Sequence, residues 1–191
     1  MRIYTRRGDD GTTGLLFGGR VRKDAPAVEA CGEVDEAQAA IGVARAHAGP
    51  GSELDGLLVD VERDLWVLMA ELAAAPDHRP QLVGGTTLVT AEMVARLEPL
   101  IDDLTARFDT PAEFVVPGQN VLSSHLDVAR TVVRRAERRA LIAAPRGSQV
   151  VAYLNRLSDL LWTMARWQED DFLPAREAPP DQPVRAHEDH P

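Results

Sequence analysis

The sequence predicts an all-α fold, a five-helix bundle preceded by a glycine-rich arm, and three observations carry that prediction. Hydrophobic residues make up 45% of the 191 positions and aromatics only 5%, so the core is built from Leu, Val and Ala. Such a composition, with few β-branched runs, favours helix. Five stretches repeat their apolar residues at three- and four-residue spacing, which lays a stripe along one helix face. Turn signals such as Gly49-Pro50-Gly51 and Pro145 to Ser148 fall between those stretches. One domain of this length encloses a sizeable core.

Residues 1–24 do not read as helix. Gly8, Gly11, Gly14, Gly18 and Gly19 punctuate a segment that also carries Thr5, Arg6, Arg7, Asp9, Thr12, Thr13 and Lys23. Backbone amides freed by glycine, with hydroxyls and cations beside them, form a phosphate cradle; a flexible arm fits the composition equally well. No Gly-Lys-Ser/Thr follows at Walker spacing. The first helix is expected from Pro26 to about His47, with Val34, Ala37, Ile41, Ala44 and Ala48 on its stripe. Asp35 and Glu36 lie beside that stripe, either solvated or holding an arginine. Gly32 and Gly42 predict a close neighbour against the helix backbone. Ser52 caps the second helix, which runs to about Ala75 on Leu54, Leu58, Val61, Leu65, Leu68, Met69 and Leu72. Thr90 begins the third, with Val94, Leu97, Ile101, Leu104 and Phe108 inward and Pro99 kinking or dividing it. Residues 109–120 form a loop with an apolar centre at Phe114-Val115-Val116. Ser148 caps the fifth helix, with Val151, Leu154, Leu157, Leu161 and Ala165 inward. The domain is expected to close at residue 172, leaving 173–191, rich in Pro and charge, as a disordered tail.

The fourth helix, residues 123–142, is the most informative. Leu122, Leu126, Ala129, Val133, Ala136 and Ala140 fall on one stripe, and Arg130, Arg134 and Glu137 lie along its flank with Arg138 further round. Arg135 and Arg139 lie on the opposite side. Arginine stays charged when partly desolvated and offers a planar fork to phosphate or carboxylate oxygens. An arginine beside a buried stripe therefore meets an anion, whether a side chain or a ligand. The formal charge of the whole chain is −9. That balance excludes general affinity for nucleic acid or anionic membrane, so the basic flank suits a small anion. The single cysteine, Cys31, permits no internal disulfide and reads as a small buried hydrophobe. No targeting segment or membrane span is visible, which predicts a soluble, cytoplasmic protein.

The stretches YTRRGDDGTT, GGRVRKD, EACGEVDEAQ, EFVVPG, ARTVVRRAER and YLNRLSD stand in an order and spacing similar to the PduO-type ATP:cob(I)alamin adenosyltransferases, over roughly residues 1–170. Arg7 stands where that family usually has a residue such as Thr, and Val34-Asp35-Glu36-Ala37-Gln38 where it has Val-Asp-Glu-Leu-Asn. The resemblance implies a homotrimer with ATP and corrinoid bound between subunits. It implies transfer of the 5′-deoxyadenosyl group of ATP to the cobalt of cob(I)alamin, giving adenosylcobalamin and triphosphate. By the same resemblance, Thr5, Arg6, Arg7, Gly8, Thr13, Gly14, Lys23, Arg134, Arg135, Glu137, Arg138 and Asn155 line the nucleotide, which carries Mg²⁺. Arg130 pairs with Asp35 across the subunit interface, and Phe114 sits under the corrin ring; these, with Arg134, are the expected catalytic residues. A flavin reductase and a cobalamin-dependent client enzyme are the further partners it suggests.

The residue chemistry agrees with that implication. Co(I) is itself a strong nucleophile, so no Ser, Cys or His nucleophile is required. The protein's work is to hold C5′ near cobalt and to stabilise charge on the leaving triphosphate. An Asp-x-His-x-x-Gly cobalt-ligating pattern is absent, and His125, away from the arginine flank, reads as structural. Two rival readings also account for part of the pattern. A non-enzymatic nucleotide-binding regulator explains the arm and the arginines but not Phe114 or Asn155. An RNA-binding helix conflicts with the acidic balance.

Overall fold

The computed structural model describes residues 3–176; the rest of the expected tail, 177–191, lies outside the described residues. Six α-helices are present among them: α1 (Pro26–His47), α2 (Glu53–Leu72), α3 (Ala91–Ala95), α4 (Leu97–Thr105), α5 (Val121–Ala143) and α6 (Val150–Trp167). Helices α3 and α4 are the two pieces of the third expected helix, so the architecture is five rods. The break falls at Arg96, which places Pro99 in the first turn of α4, where its missing N–H has no intrahelical partner to lose.

Side-chain caps set three of the starts. Ser52 Oγ accepts from the Asp55 amide at 3.1 Å, Thr90 Oγ1 from that of Met93 at 3.3 Å, and Asn120 Oδ1 from that of Ser123 at 2.8 Å. The fifth rod differs from expectation by one residue: Gln149 is the cap, and Ser148 Oγ, one position earlier, accepts from the Val150 amide at 3.2 Å. The second helix ends at Leu72, three residues short of the expected end.

Helices α1, α2, α5 and α6 pack antiparallel to their neighbours. Cys31 Sγ reaches the Met69 carbonyl at 3.8 Å and Gln38 Nε2 donates to that of Glu62 at 3.3 Å, fixing α1 against α2. On its other side α1 lies against α5, where Arg135 Nε donates to Glu33 Oε2 at 2.5 Å and a second nitrogen pairs with Glu36. Ala30, Ala37 and Ala44 of α1 and Ala129, Ala136 and Ala140 of α5 are all fully buried, and their small side chains let the two backbones approach closely. Helix α6 buries Val150, Tyr153, Leu160 and Met164 besides the expected Leu154, Leu157, Leu161 and Ala165. Val94, Ile101 and Phe108, expected inside, are half-buried, as is Val151, because the α3/α4 rod forms an outer layer over α6.

The arm is not a loose segment. Thr12–Gly14 (β1) pairs antiparallel with Arg20–Arg22 (β2), Thr13 opposite Val21. Strands of three residues are too short for alternation to be read from sequence. Gly18 and Gly19 close the hairpin at φ +109° and +86°, a region disfavoured for residues with a Cβ, and Phe17 beside them is held at φ +65°. The hairpin docks on the end of α2 through the Leu16 amide, which donates to the Ala73 carbonyl at 2.9 Å. Fully buried Glu71 fastens the connection from α2 to α3, accepting from the Val89 amide at 2.8 Å and from Arg79 at 2.9 Å. The close neighbour expected at Gly32 is missing among the described residues, where a Cβ would meet nothing within 4 Å; at Gly42 it would meet only a Glu62 oxygen at 3.4 Å. The tail also departs from expectation at its start. Val116 N donates to the Leu173 carbonyl at 2.8 Å and Ala175 N to that of Phe114 at 2.7 Å, so residues 173–175 are paired to the loop before α5.

Candidate functional site

The hairpin arranges one cluster of the expected residues. Arg20 organises it, donating to the Arg7 carbonyl at 2.5 Å and to Thr12 Oγ1 at 2.6 Å through Nη2 and 2.9 Å through Nε. Asp10 Oδ1 accepts from the Thr12 amide at 2.9 Å and hydroxyl at 2.8 Å, and those bonds hold its carboxyl below the usual range. Lys23 lies over Gly8: a Cβ there would stand 3.1 Å from Nζ. Thr5 Oγ1 accepts from the Arg7 amide at 3.4 Å, and Arg6, at φ +60°, lays its guanidinium 5.6 Å from the centre of the Tyr4 ring. Arg6, Arg7 and Lys23 therefore expose charge around the glycine turn, while Thr13 and Gly14 lie on β1. Arg20 and Asp10 were not singled out from sequence; their role appears only once β1 and β2 pair.

A second cluster lies on the facing edges of α5 and α6. Arg134 is exposed, and among the described residues it offers only its carbonyl, to Arg138 Nη1 at 2.9 Å. Asn155 is pinned: its Nδ2 donates to Glu137 Oε1 at 3.1 Å and its Oδ1 accepts from Arg156 at 3.0 Å. Arg134, Glu137, Arg138 and Asn155 are thus brought together. Arg135 is not among them, because Glu33 and Glu36 hold it on α1, and that pairing pushes its pKa further up.

The third cluster is a cleft of about 580 Å³ at the end of the bundle where α5 begins. Phe114 and Val115 form one wall, and Asp127, Arg130, Trp162 and Arg166 the other. The Phe114 side of the loop is strapped by residues 173–175, yet the residue itself is 89% exposed. It does not plug the bundle. Arg130 Nε donates to Asp127 Oδ1 at 3.1 Å, while Asp127 Oδ2 accepts from Arg166 Nη2 at 2.6 Å. Asp127 and Arg166 are buried, and Arg166 lies 5.9 Å from the centre of the Trp162 ring. Arg166 was hidden from the sequence reading by the apolar residues around it. Asp127 carried a usable signal, since it stands three residues before Arg130 on one helix face.

The profile of the cobalamin adenosyltransferases matches residues 3–168. The chain belongs to that family. Its relatives include the corrinoid adenosyltransferase of Mycobacterium tuberculosis, 41% identical over 179 residues, or 89% of this chain and 90% of the relative. That of Citrobacter freundii is 43% identical over 172 residues, covering 88% and 95%. A solved PduO-type ATP:corrinoid adenosyltransferase from Lactobacillus reuteri, a variant with one phenylalanine replaced by alanine and complexed with cobalamin and ATP, superposes with TM-score 0.82. It is 29% identical, and the match covers 92% of this chain and all of that one.

Within one chain the arm and the Phe114 cleft lie at opposite ends. The arm docks where α2 ends, beside the start of α1, and the start of α1 lies beside the end of α5. The cleft lies where α5 begins, and 23 helical residues span ~34 Å. Asp35 is exposed on α1, and Arg130 takes Asp127 as its partner within the chain. Burial, with the Asp35 charge adding to it, pushes the Cys31 thiol pKa up and disfavours its thiolate. His125 stacks on His47 with centroids 5.1 Å apart and does not line the Phe114 cleft. No helix of the described residues is long and apolar enough to cross a membrane.

Proposed function

We propose that this chain transfers the 5′-deoxyadenosyl group of ATP to the cobalt of a corrinoid, giving adenosylcobalamin and triphosphate. The observation that carries the reading is the exposed Phe114 ring, strapped in place opposite Arg130 across a cleft, in a member of this family. Cobalt(I) attacks C5′ with its electron pair; the Co–C5′ bond forms, C5′–O5′ breaks, and the leaving oxygen keeps its pair on the triphosphate. No protein nucleophile or proton transfer enters that balance. Arg134, Arg138 and the arm cations oppose the charge growing on the triphosphate, and Asn155, pinned by Glu137, fixes the nucleotide's position. Phe114 excludes water and a lower ligand from one face of the corrin, which leaves Co(II) four-coordinate and easier to reduce.

The cations and backbone amides of the arm suit phosphate oxygens, and Mg²⁺ arrives on ATP. The assembly is a homotrimer in which Asp35 of one copy meets Arg130 of the next, a reading supported by the exposure of Asp35 and by the exposed apolar residues Val43 on α1 and Val128 on α5. A flavin reductase supplies the electron to Co(II), a cobalamin-dependent enzyme takes the product, and the reaction runs in the cytoplasm. The regulator reading gives the exposed ring no task. The test is an anaerobic assay of the purified protein with ATP and chemically reduced cobalamin. Growth of the adenosylcobalamin absorbance supports the proposal, and an unchanged Co(I) spectrum with ATP bound refutes it.

A further inference from the structure

The four charged groups beneath the cleft form a chain that nothing in the transfer chemistry uses directly. Arg130 Nε donates to Asp127 Oδ1 at 3.1 Å, Arg166 Nη2 donates to Asp127 Oδ2 at 2.6 Å, and the same Nη2 donates to Glu169 Oε1 at 3.0 Å. Arg166 Nε also approaches Glu169 Oε2 to 2.8 Å as an ion pair, off the hydrogen-bonding axis. The side chains of Arg166, Asp127 and Glu169 are 3%, 6% and 2% exposed, against 27% for Arg130. Three members are therefore fixed in the interior and the fourth reaches the cleft. A buried ion pair is a poor source of net stability, because desolvation offsets its attraction. It is effective at holding a group in one orientation.

We infer that Asp127 is the positioning residue for Arg130, an assignment that rests on the function proposed above. A guanidinium offers five N–H groups in one plane. Asp127 takes the one on Nε, and among the described residues neither Nη group of Arg130 has an acceptor. The two Nη groups are the end of the fork that receives a carboxylate or phosphate by parallel hydrogen bonds. Binding through Nε sets the plane of that fork, and Arg166 prevents Asp127 from turning away to follow Arg130. The core thus aims Arg130 at its anion before the anion arrives, which removes ordering cost from the productive complex. Arg130 presents that fork to its anion, Asp35 of the neighbouring copy in the proposed trimer; Asp127 acts only through Arg130.

The test is a double-mutant cycle on the full-length enzyme with Asp127→Asn, Arg130→Gln and the two combined. Asparagine keeps the shape and one acceptor but turns the other oxygen into a donor facing an arginine. Asp127→Asn lowers kcat by ~10-fold or more. The ATP dissociation constant stays close to the wild-type value, and the double variant is no slower than Arg130→Gln alone. Losses that multiply, or a wild-type kcat for Asp127→Asn, overturn the assignment. A readout on the wild-type protein covers the case in which a variant misfolds: the ¹⁵Nε–Hε resonance of Arg130, identified by its absence from Arg130→Lys. Slow exchange of that proton supports the Asp127 hold, and exchange at the rate of a free arginine overturns it. A wild-type enzyme that forms no cobalt–carbon bond overturns the function and this role together; an active one with multiplying losses overturns the role of Asp127 alone.

Discussion

Replacing Phe114 by alanine separates a structural ring from a functional one. A buried loop anchor costs ~3 kcal/mol or more when truncated, through lost transfer energy and the cavity left behind. Here about a tenth of the residue is covered. Of the ~200 Å² that a phenylalanine can bury, that is ~20 Å², or ~0.5 kcal/mol at 25 cal/mol/Å². Chemical denaturation of the ligand-free variant should therefore give nearly the wild-type stability. Activity should divide differently. With chemically reduced Co(I) the variant keeps most of its turnover, because the nucleophile already exists. From Co(II) it fails, and the electron paramagnetic resonance signature of four-coordinate Co(II) with ATP is lost. A loss of 3 kcal/mol or more, or Co(II)-dependent turnover equal to the wild type, refutes the placement of the ring against the corrin.

The other expectations follow from the same geometry. Arg134→Lys keeps a charge but loses the fork and lowers turnover ~10²-fold if the fork acts in the transition state; steady-state kinetics near the wild type would remove Arg134 from the site. Arg135→Gln lowers thermal stability by releasing Glu33 and Glu36 but leaves ATP affinity unchanged, as calorimetric titration would show. Tyr153 donates to Asp64 at 2.6 Å, and burial, with that carboxylate, pushes its pKa up. The folded state therefore holds the phenol proton while the unfolded chain releases it near pH ~10, so stability is intact below that pH and falls above it. In melting curves across that range, Tyr153→Phe should flatten the alkaline decline. Hydrogen exchange over residues 5–20 should slow when ATP is added, since Arg6, Arg7 and Lys23 have charge to satisfy; unchanged exchange at saturating ATP would place the nucleotide elsewhere.

The rods were legible because their signals are local. Ser52 and Thr90 each bond an amide three residues on, and the Leu126 to Ala140 stripe needs only helical spacing to reveal the buried face of α5. What escaped depends on residues distant in sequence. The hairpin needs Arg20 to cross to Thr12 and Arg7, and the straps on Phe114 need residues 173–175 to return beside it. Arg135 illustrates the limit within a single motif. It stands among four other arginines, yet Glu33 and Glu36, about a hundred positions earlier, decide that it serves the bundle. Arg166 looked like the end of an apolar helix until Asp127 and Glu169 met it in the interior.

The central claim is that the adenosyl carbon of ATP ends on cobalt with the triphosphate leaving whole. ATP labelled with ¹³C at C5′, incubated anaerobically with cob(I)alamin and the purified protein, tests it directly. The account predicts that the labelled carbon appears in a light-sensitive cobalt–methylene resonance, with one triphosphate released for each cobalt alkylated. Label that stays in ATP, or appears in AMP or ADP with phosphate or diphosphate released and cobalt unalkylated, would contradict it.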